Sequence, residues 1–205
     1  MRILLYISIL FFLLAWWSQA YTSSQFLSAK NLGEQGIILK QESLQAYRLG
    51  ETMTRKEFMK VLANKVWDEI PNECDYEFRD VKNDWWCKYI EWAMKNAYIA
   101  QEDYFRPDEP MTKAESMKLI LKARYIDRIQ KTSDWRDDDM QTAFQKWIVE
   151  KKYSDYDKVA TRWWIFEALD TQEWLFTQKA INKREAKLYK IWETRFSKDI
   201  YIHIN

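Results

Sequence analysis

Three times along the chain a threonine is followed by a basic residue: Thr54-Arg55, Thr112-Lys113 and Thr161-Arg162. The flanking residues are related too. Met53-Thr54-Arg55-Lys56-Glu57-Phe58 recurs as Met111-Thr112-Lys113-Ala114-Glu115-Ser116, and in eroded form as Ala160-Thr161-Arg162-Trp163-Trp164-Ile165. A cation in the first turn of a helix is slightly unfavourable against the helix dipole, so its repetition calls for a purpose. A guanidinium can clamp a carboxylate bidentately, and the neighbouring helix N-terminus also favours an anion. Arg55, Lys113 and Arg162 are thus candidate ligands for an anionic group. Lys113 keeps the charge but lacks the planar fork, which weakens its site.

These residues need helices to place them. After each threonine the apolar residues fall at helical spacing: Phe58, Val61, Leu62 and Val66, then Met117, Ile120 and Leu121, then Ile165, Phe166 and Leu169. Each set makes one apolar face. Thr54, Thr112 and Thr161 are the expected N-caps. Glu57 and Glu115 complete capping boxes, whereas the third copy has Trp164 at that position. Upstream, Tyr47-Arg48-Leu49-Gly50-Glu51 aligns with Phe105-Arg106-Pro107-Asp108-Glu109, a loop expected to plug one ring into the core. Only Tyr156-Asp157-Lys158 corresponds in the third copy. Further upstream a second helix is expected in each copy. In the middle one it runs from about Trp85 to Lys95, with Trp85, Tyr89, Ile90, Ala93 and Met94 facing inward. Each unit is therefore helix, loop, helix, recurring every ~50 to 60 residues.

The middle unit carries Phe78-Arg79-Asp80-Val81, Asp84-Trp85, Tyr89-Ile90-Glu91-Trp92-Ala93, Phe105-Arg106-Pro107 and Met111-Thr112-Lys113-Ala114-Glu115. In order and spacing it resembles an S-layer homology (SLH) module. The resemblance extends over residues 26–172: a first repeat at 26–67, a second at 74–123 and a degenerate third at 133–172 that keeps Trp135-Arg136-Asp137-Asp138. It implies a mainly α fold of three helix-loop-helix repeats in a pseudo-threefold arrangement. It also implies grooves between repeats that bind cell-wall polysaccharide, either a secondary polymer or a peptidoglycan-linked glycan. Matched residue by residue, the family's groove positions fall on Arg55, Lys113 and Arg162 and, in the middle unit, on Asp80 and Trp85. Trp85 is suited to stacking on a sugar face.

The first residues fit an exported protein. Arg2 precedes an apolar run from Ile3 to Trp17, and Ser18-Gln19-Ala20 suits a signal peptidase, giving cleavage after Ala20. The run is about 15 residues, short of the roughly 20 that span a bilayer. A membrane role arises only if the segment stays uncleaved. Residues 21–25 then form a linker, and 173–205 a charged C-terminal helix or tail with Leu188, Ile191 and Trp192 as a thin stripe. The even cysteine count, export and proximity favour a Cys74–Cys87 disulfide, worth about 3 kcal/mol on the loop-entropy model.

Composition removes other classes. The net charge of +1 lacks the basic surplus of a nucleic-acid binder. His203, near the C-terminus, is the one histidine, so no histidine-based triad or metal cluster is supported. Asp134, Asp137, Asp138 and Asp139 lack the ligand alternation and turn glycine of an EF-hand. No phosphate loop or nucleophile elbow occurs, and no cofactor or metal is implied. The expectation is a non-catalytic envelope protein that binds wall polysaccharide. An envelope protein–protein scaffold is the alternative, and an exported glycan-cleaving enzyme the remotest reading.

The chain holds 12 Trp and 3 Gly, against the ~7% Gly of an average domain. Internal alignment places Gly36, Ala97 and Trp147 at one position after the first helix, where a left-handed residue is expected. Trp163 aligns with Ala114. Two explanations stand: ordinary divergence, or a genome that reads a stop codon as Gly where translation wrote Trp.

Overall fold

The computed structural model describes residues 23–66, 68–72, 74, 78–82 and 84–171. The signal segment and the charged C-terminal helix expected from sequence lie outside them. The described residues are mainly helical: α1 (Ser23–Glu34), α2 (Arg55–Val66), α3 (Cys87–Lys95), α4 (Lys113–Ala123), α5 (Trp135–Gln145) and α6 (Arg162–Asp170), with a 3-10 turn at Gln45–Tyr47. No helix among them is long and apolar enough to cross a membrane. α1 begins inside the expected 21–25 linker, so that boundary moves back to Ser23.

Two of the three helices that follow the threonines start on a reciprocal cap. The Glu57 N–H donates to Thr54 Oγ1 at 3.4 Å, and the Thr54 N–H to Glu57 Oε2 at 3.0 Å. Thr112 and Glu115 repeat this at 3.2 and 3.0 Å. Thr161 has the same extended backbone but makes no side-chain cap, and Trp164 has no carboxylate to return the reciprocal bond.

Helices α1, α3 and α5 end alike. Gly36, Ala97 and Trp147 adopt left-handed φ values of 72°, 56° and 56°. The next residue folds its N–H back to the helix: Ile37 to Leu32 O at 2.9 Å, Tyr98 to Ala93 O at 2.8 Å and Ile148 to Ala143 O at 2.9 Å. This is the Schellman arrangement, which satisfies carbonyls the helix end leaves unpaired. Ile37, Tyr98 and Ile148 are then buried as plugs.

Packing pairs α2 with α3, α4 with α5, and α6 with α1, while α4 also touches α2 and α6. Each helix that follows a threonine thus takes its main partner from the neighbouring unit, and α6 returns to the first helix. Phe58, Met59, Leu62, Met117, Ile120, Trp164, Ile165 and Leu169 lie in the common core. At the α1–α6 contact, Asn31 Nδ2 donates to Asp170 Oδ2 at 3.0 Å. Burial raises the Asp170 carboxyl above its ordinary pKa.

One inward assignment is corrected. Trp85 is 48% exposed, and Trp86 is the buried ring at 5%. The cause is Asp84. Its Oδ1 accepts the Trp85 N–H at 2.6 Å and its Oδ2 the Trp86 indole N–H at 3.0 Å. That turn delays the helix to Cys87 and carries the neighbouring indole into the core.

Trp147 holds a conformation that disfavours a Cβ, and its ring is 75% exposed. A left-handed non-glycine residue costs roughly 1–2 kcal/mol. Trp147→Gly is therefore expected to stabilise the protein by about 1 kcal/mol in urea titrations followed by far-UV circular dichroism. A loss of stability would mean the indole makes a compensating contact. Mass spectrometry of the native protein at positions 147 and 163 distinguishes Trp from recoded Gly.

Candidate functional site

The first turns of α2, α4 and α6 are each received by the loop of an adjacent unit. The N–H groups of Arg55 and Lys56 donate to Glu109 O and Pro107 O at 2.9 and 3.1 Å. Those of Lys113 and Ala114 donate to Lys158 O and Tyr156 O at 3.0 and 2.9 Å. Those of Arg162 and Trp163 donate to Glu51 O and Leu49 O at 2.7 and 3.1 Å. The anion-binding expectation for these helix starts therefore needs correction. The N–H groups expected to favour an anion already have protein acceptors, because orphan donors at a helix start must be satisfied and the loops reach them first.

The three basic side chains follow the same register. They are mostly covered, at 15% (Arg55), 13% (Lys113) and 19% (Arg162) exposure, and each is paired. Arg55 Nη1 donates to Glu115 Oε1 at 3.1 Å, and its Nε to Phe105 O at 2.8 Å. Its guanidinium lies 5.0 Å from the Phe105 ring centroid. Arg162 Nη2 donates to Glu57 Oε1 at 2.7 Å. Lys113 Nζ donates to Asp155 Oδ2 at 2.8 Å and sits 4.7 Å from the Tyr153 ring centroid. That bond is the leading cause that holds the Asp155 carboxyl below its ordinary pKa.

The partners Glu57, Glu115 and Asp155 were not singled out as site residues from sequence. Each glutamate serves two units, capping its own helix with one oxygen and holding the neighbour's arginine with the other. The third unit offers Trp164 in place of that glutamate, and Lys113 turns to Asp155 instead. A signal was present: the one copy without the box glutamate is the one its neighbour faces with Lys rather than Arg.

Asp80 and Arg55 both bind Phe105, Arg55 through the carbonyl and Asp80 through the N–H. The Asp80 carboxylate accepts the backbone N–H groups of Phe105 and Arg106 at 2.8 and 2.6 Å, and so shapes the loop that receives α2. Arg106 there has φ 60°, and Arg48 at the matching place in the first unit has φ 53°. Asp134 plays a related part in the third unit. It caps α5 through the Arg136 N–H at 3.1 Å and accepts the Tyr156 hydroxyl at 3.0 Å. Trp85 stands half exposed just before α3, with Lys60 Nζ of α2 5.1 Å from its ring centroid.

Cys74 and Cys87 are joined as a disulfide, with Cα atoms 6.0 Å apart. Among the described residues the one group of three metal-ligating types is Cys74, Cys87 and the buried Glu91. Two of its donors are committed to each other.

Residues 77–115 match the family model of the S-layer homology domain. A search of curated proteins found no match. The SLH domain is a non-catalytic module that generally anchors proteins to cell-wall polymers, and it implies a protein associated with the cell surface or wall. The matched span runs from the Phe78 segment through the Glu115 cap, and so holds Asp80, Trp85, Lys113 and the loop that receives α2.

Two measurements probe this framework. Asp80→Ala leaves two backbone donors without their acceptor and is expected to lower stability by about 1–3 kcal/mol in denaturant unfolding; a neutral result would show that water replaces it. The Asp134 carboxyl is held down to about 2 from 3.8, first by the Arg136 side chain, then by the Arg136 N–H and the Tyr156 hydroxyl. Its contribution to stability is thus complete above its ordinary pKa and is lost as pH falls through about 2. A carboxyl NMR titration should show that midpoint, and Tyr156→Phe should raise it.

Proposed function

We propose that the protein is an exported, non-catalytic cell-envelope protein that binds an anionic cell-wall polysaccharide at the junctions between three SLH-like units. The units are residues 26–67, 74–123 and 133–172, set in a pseudo-threefold arrangement. The observation that carries this reading is the repeated junction: at Arg55, Lys113 and Arg162 alike, a basic side chain follows the cap threonine and meets a carboxylate from the adjacent unit. The family match over 77–115 supports a cell-wall polymer as the ligand.

In this reading an acidic group of the glycan takes the place of Glu115, Asp155 or Glu57 on the basic side chain. Exchange of one carboxylate for another gives little affinity per junction, so attachment relies on several junctions engaging one polymer. Asp80 acts indirectly, by shaping the loop that borders the Arg55 junction. Trp85 offers a stacking face outside it. The internal pairing of all three cations also favours a second reading, in which they only hold the units together and the protein is an envelope scaffold without glycan binding.

Pull-down with purified sacculi separates the two. Wild type is expected to be retained, and Arg55→Ala/Arg162→Ala to lose at least tenfold in retention while its far-UV circular dichroism stays native. No retention of wild type, or equal retention of the variant, rejects glycan binding at the junctions. N-terminal sequencing of the exported protein should begin at Tyr21; a chain that begins at Met1 rejects cleavage after Ala20.

A further inference from the structure

Cys87 opens α3 and Glu91 follows one turn later, so their spacing sets both side chains on one face of the helix. Both are buried, at 1% and 3% exposure. Cys74 reaches the same face from the chain that joins α2 to α3, with its Cα 6.0 Å from that of Cys87. The two sulfurs and a Glu91 carboxylate oxygen all lie within 4.8 Å of one another. Two thiolates and a carboxylate suit a borderline-soft divalent cation, Zn²⁺ above all. In a tetrahedral zinc site with Zn–S bonds of about 2.3 Å, two sulfurs stand about 3.8 Å apart. Side-chain rotation provides that separation from Cα atoms 6.0 Å apart. Cys74 also borders an open cleft lined by Asn72, Asp84 and Lys88, which gives an ion and a water ligand a way in. Every cysteine is synthesised as a thiol, and bridges persist only in oxidising compartments.

We propose that Cys74, Cys87 and Glu91 form a zinc site in the thiol state of the protein, and that zinc and the disulfide exclude each other. Zn²⁺ binds as the two thiols ionise. Two Zn–S bonds and one Zn–O bond form, two protons leave, and no electron is transferred. A water from the cleft completes the tetrahedron. In the bridged form neither sulfur is a thiolate, so Glu91 is the one ligand of the three that remains. Either link ties the chain before α3 to the start of that helix, so the middle unit is closed at the same point in both states. The inference does not depend on wall binding.

Cobalt(II), added to the full chain reduced with a phosphine under argon, tests the site. A single cobalt should bind per chain, with a thiolate-to-cobalt charge-transfer band in the near ultraviolet that zinc removes. The oxidised protein and Cys74→Ser/Cys87→Ser should show no such band. Glu91→Gln should keep the band and bind zinc at least tenfold more weakly, with its far-UV circular dichroism unchanged. X-ray absorption of zinc-loaded wild type gives a check that needs no variant: two sulfurs at about 2.3 Å and oxygens at about 2.0–2.2 Å. The site is overturned by no band in the reduced protein, an equal band in the oxidised protein, a Glu91→Gln affinity equal to wild type, or four sulfurs around a zinc shared by two chains.

Discussion

A helix begins with backbone N–H groups that have no partner within the helix, and in this protein their satisfaction organises everything else. The first turns of α2, α4 and α6 donate to carbonyls in loops of adjacent units. A buried donor left unpaired costs roughly 1–3 kcal/mol, so the helix and the loop that receives it must be correct together. The loops meet this demand through particular residues. Arg48 and Arg106 turn the chain through left-handed φ, and Asp80 gathers the N–H groups of Phe105 and Arg106 so that the neighbouring carbonyls face α2.

The side chains add a second layer on the same register. Glu57 and Glu115 each divide their oxygens between a cap within the unit and an arginine from outside it. Local helix stability and the union of units therefore share atoms. In the third unit Trp164 removes that shared atom, and the Lys113–Asp155 pair restores the charge contact from a different element. These contacts are partly exposed, and pairs of that kind contribute only a modest stability. Their greater consequence is chemical: cations in a fixed register, each already holding a carboxylate, can be taken over by an acidic polymer only through competition.

The helix ends show a different kind of constraint. Gly36, Ala97 and Trp147 occupy the same left-handed position, which glycine fills without strain and the other two fill at a penalty. The backbone is thus more regular than the sequence that specifies it. At position 147 a large ring stands in solvent with a φ suited to a residue without one. Divergence at an exposed site and a recoded glycine both account for that.

Much of the local structure was legible because its causes are local. Threonine, box glutamate and apolar spacing act within a few residues, and they located the starts of α2, α4 and α6 and the missing box glutamate of the third copy, although the side-chain cap expected of Thr161 does not form. The left-handed helix ends followed from internal alignment, and the Tyr47 and Phe105 plugs from their loop context. The match over 77–115 agrees with the unit whose motifs stand most complete. What could not be read from spacing alone was decided by the geometry of one turn and by partners distant in sequence. Trp85 and Trp86 are equivalent in composition, and only the Asp84 turn chooses which is buried. Arg55, Lys113 and Arg162 were recognisable as a repeated cation beside a helix start. Only the meeting of the first turns of α2, α4 and α6, and of the loop after α5, brought Glu115, Asp155 and Glu57 to them, because those carboxylates belong to other units.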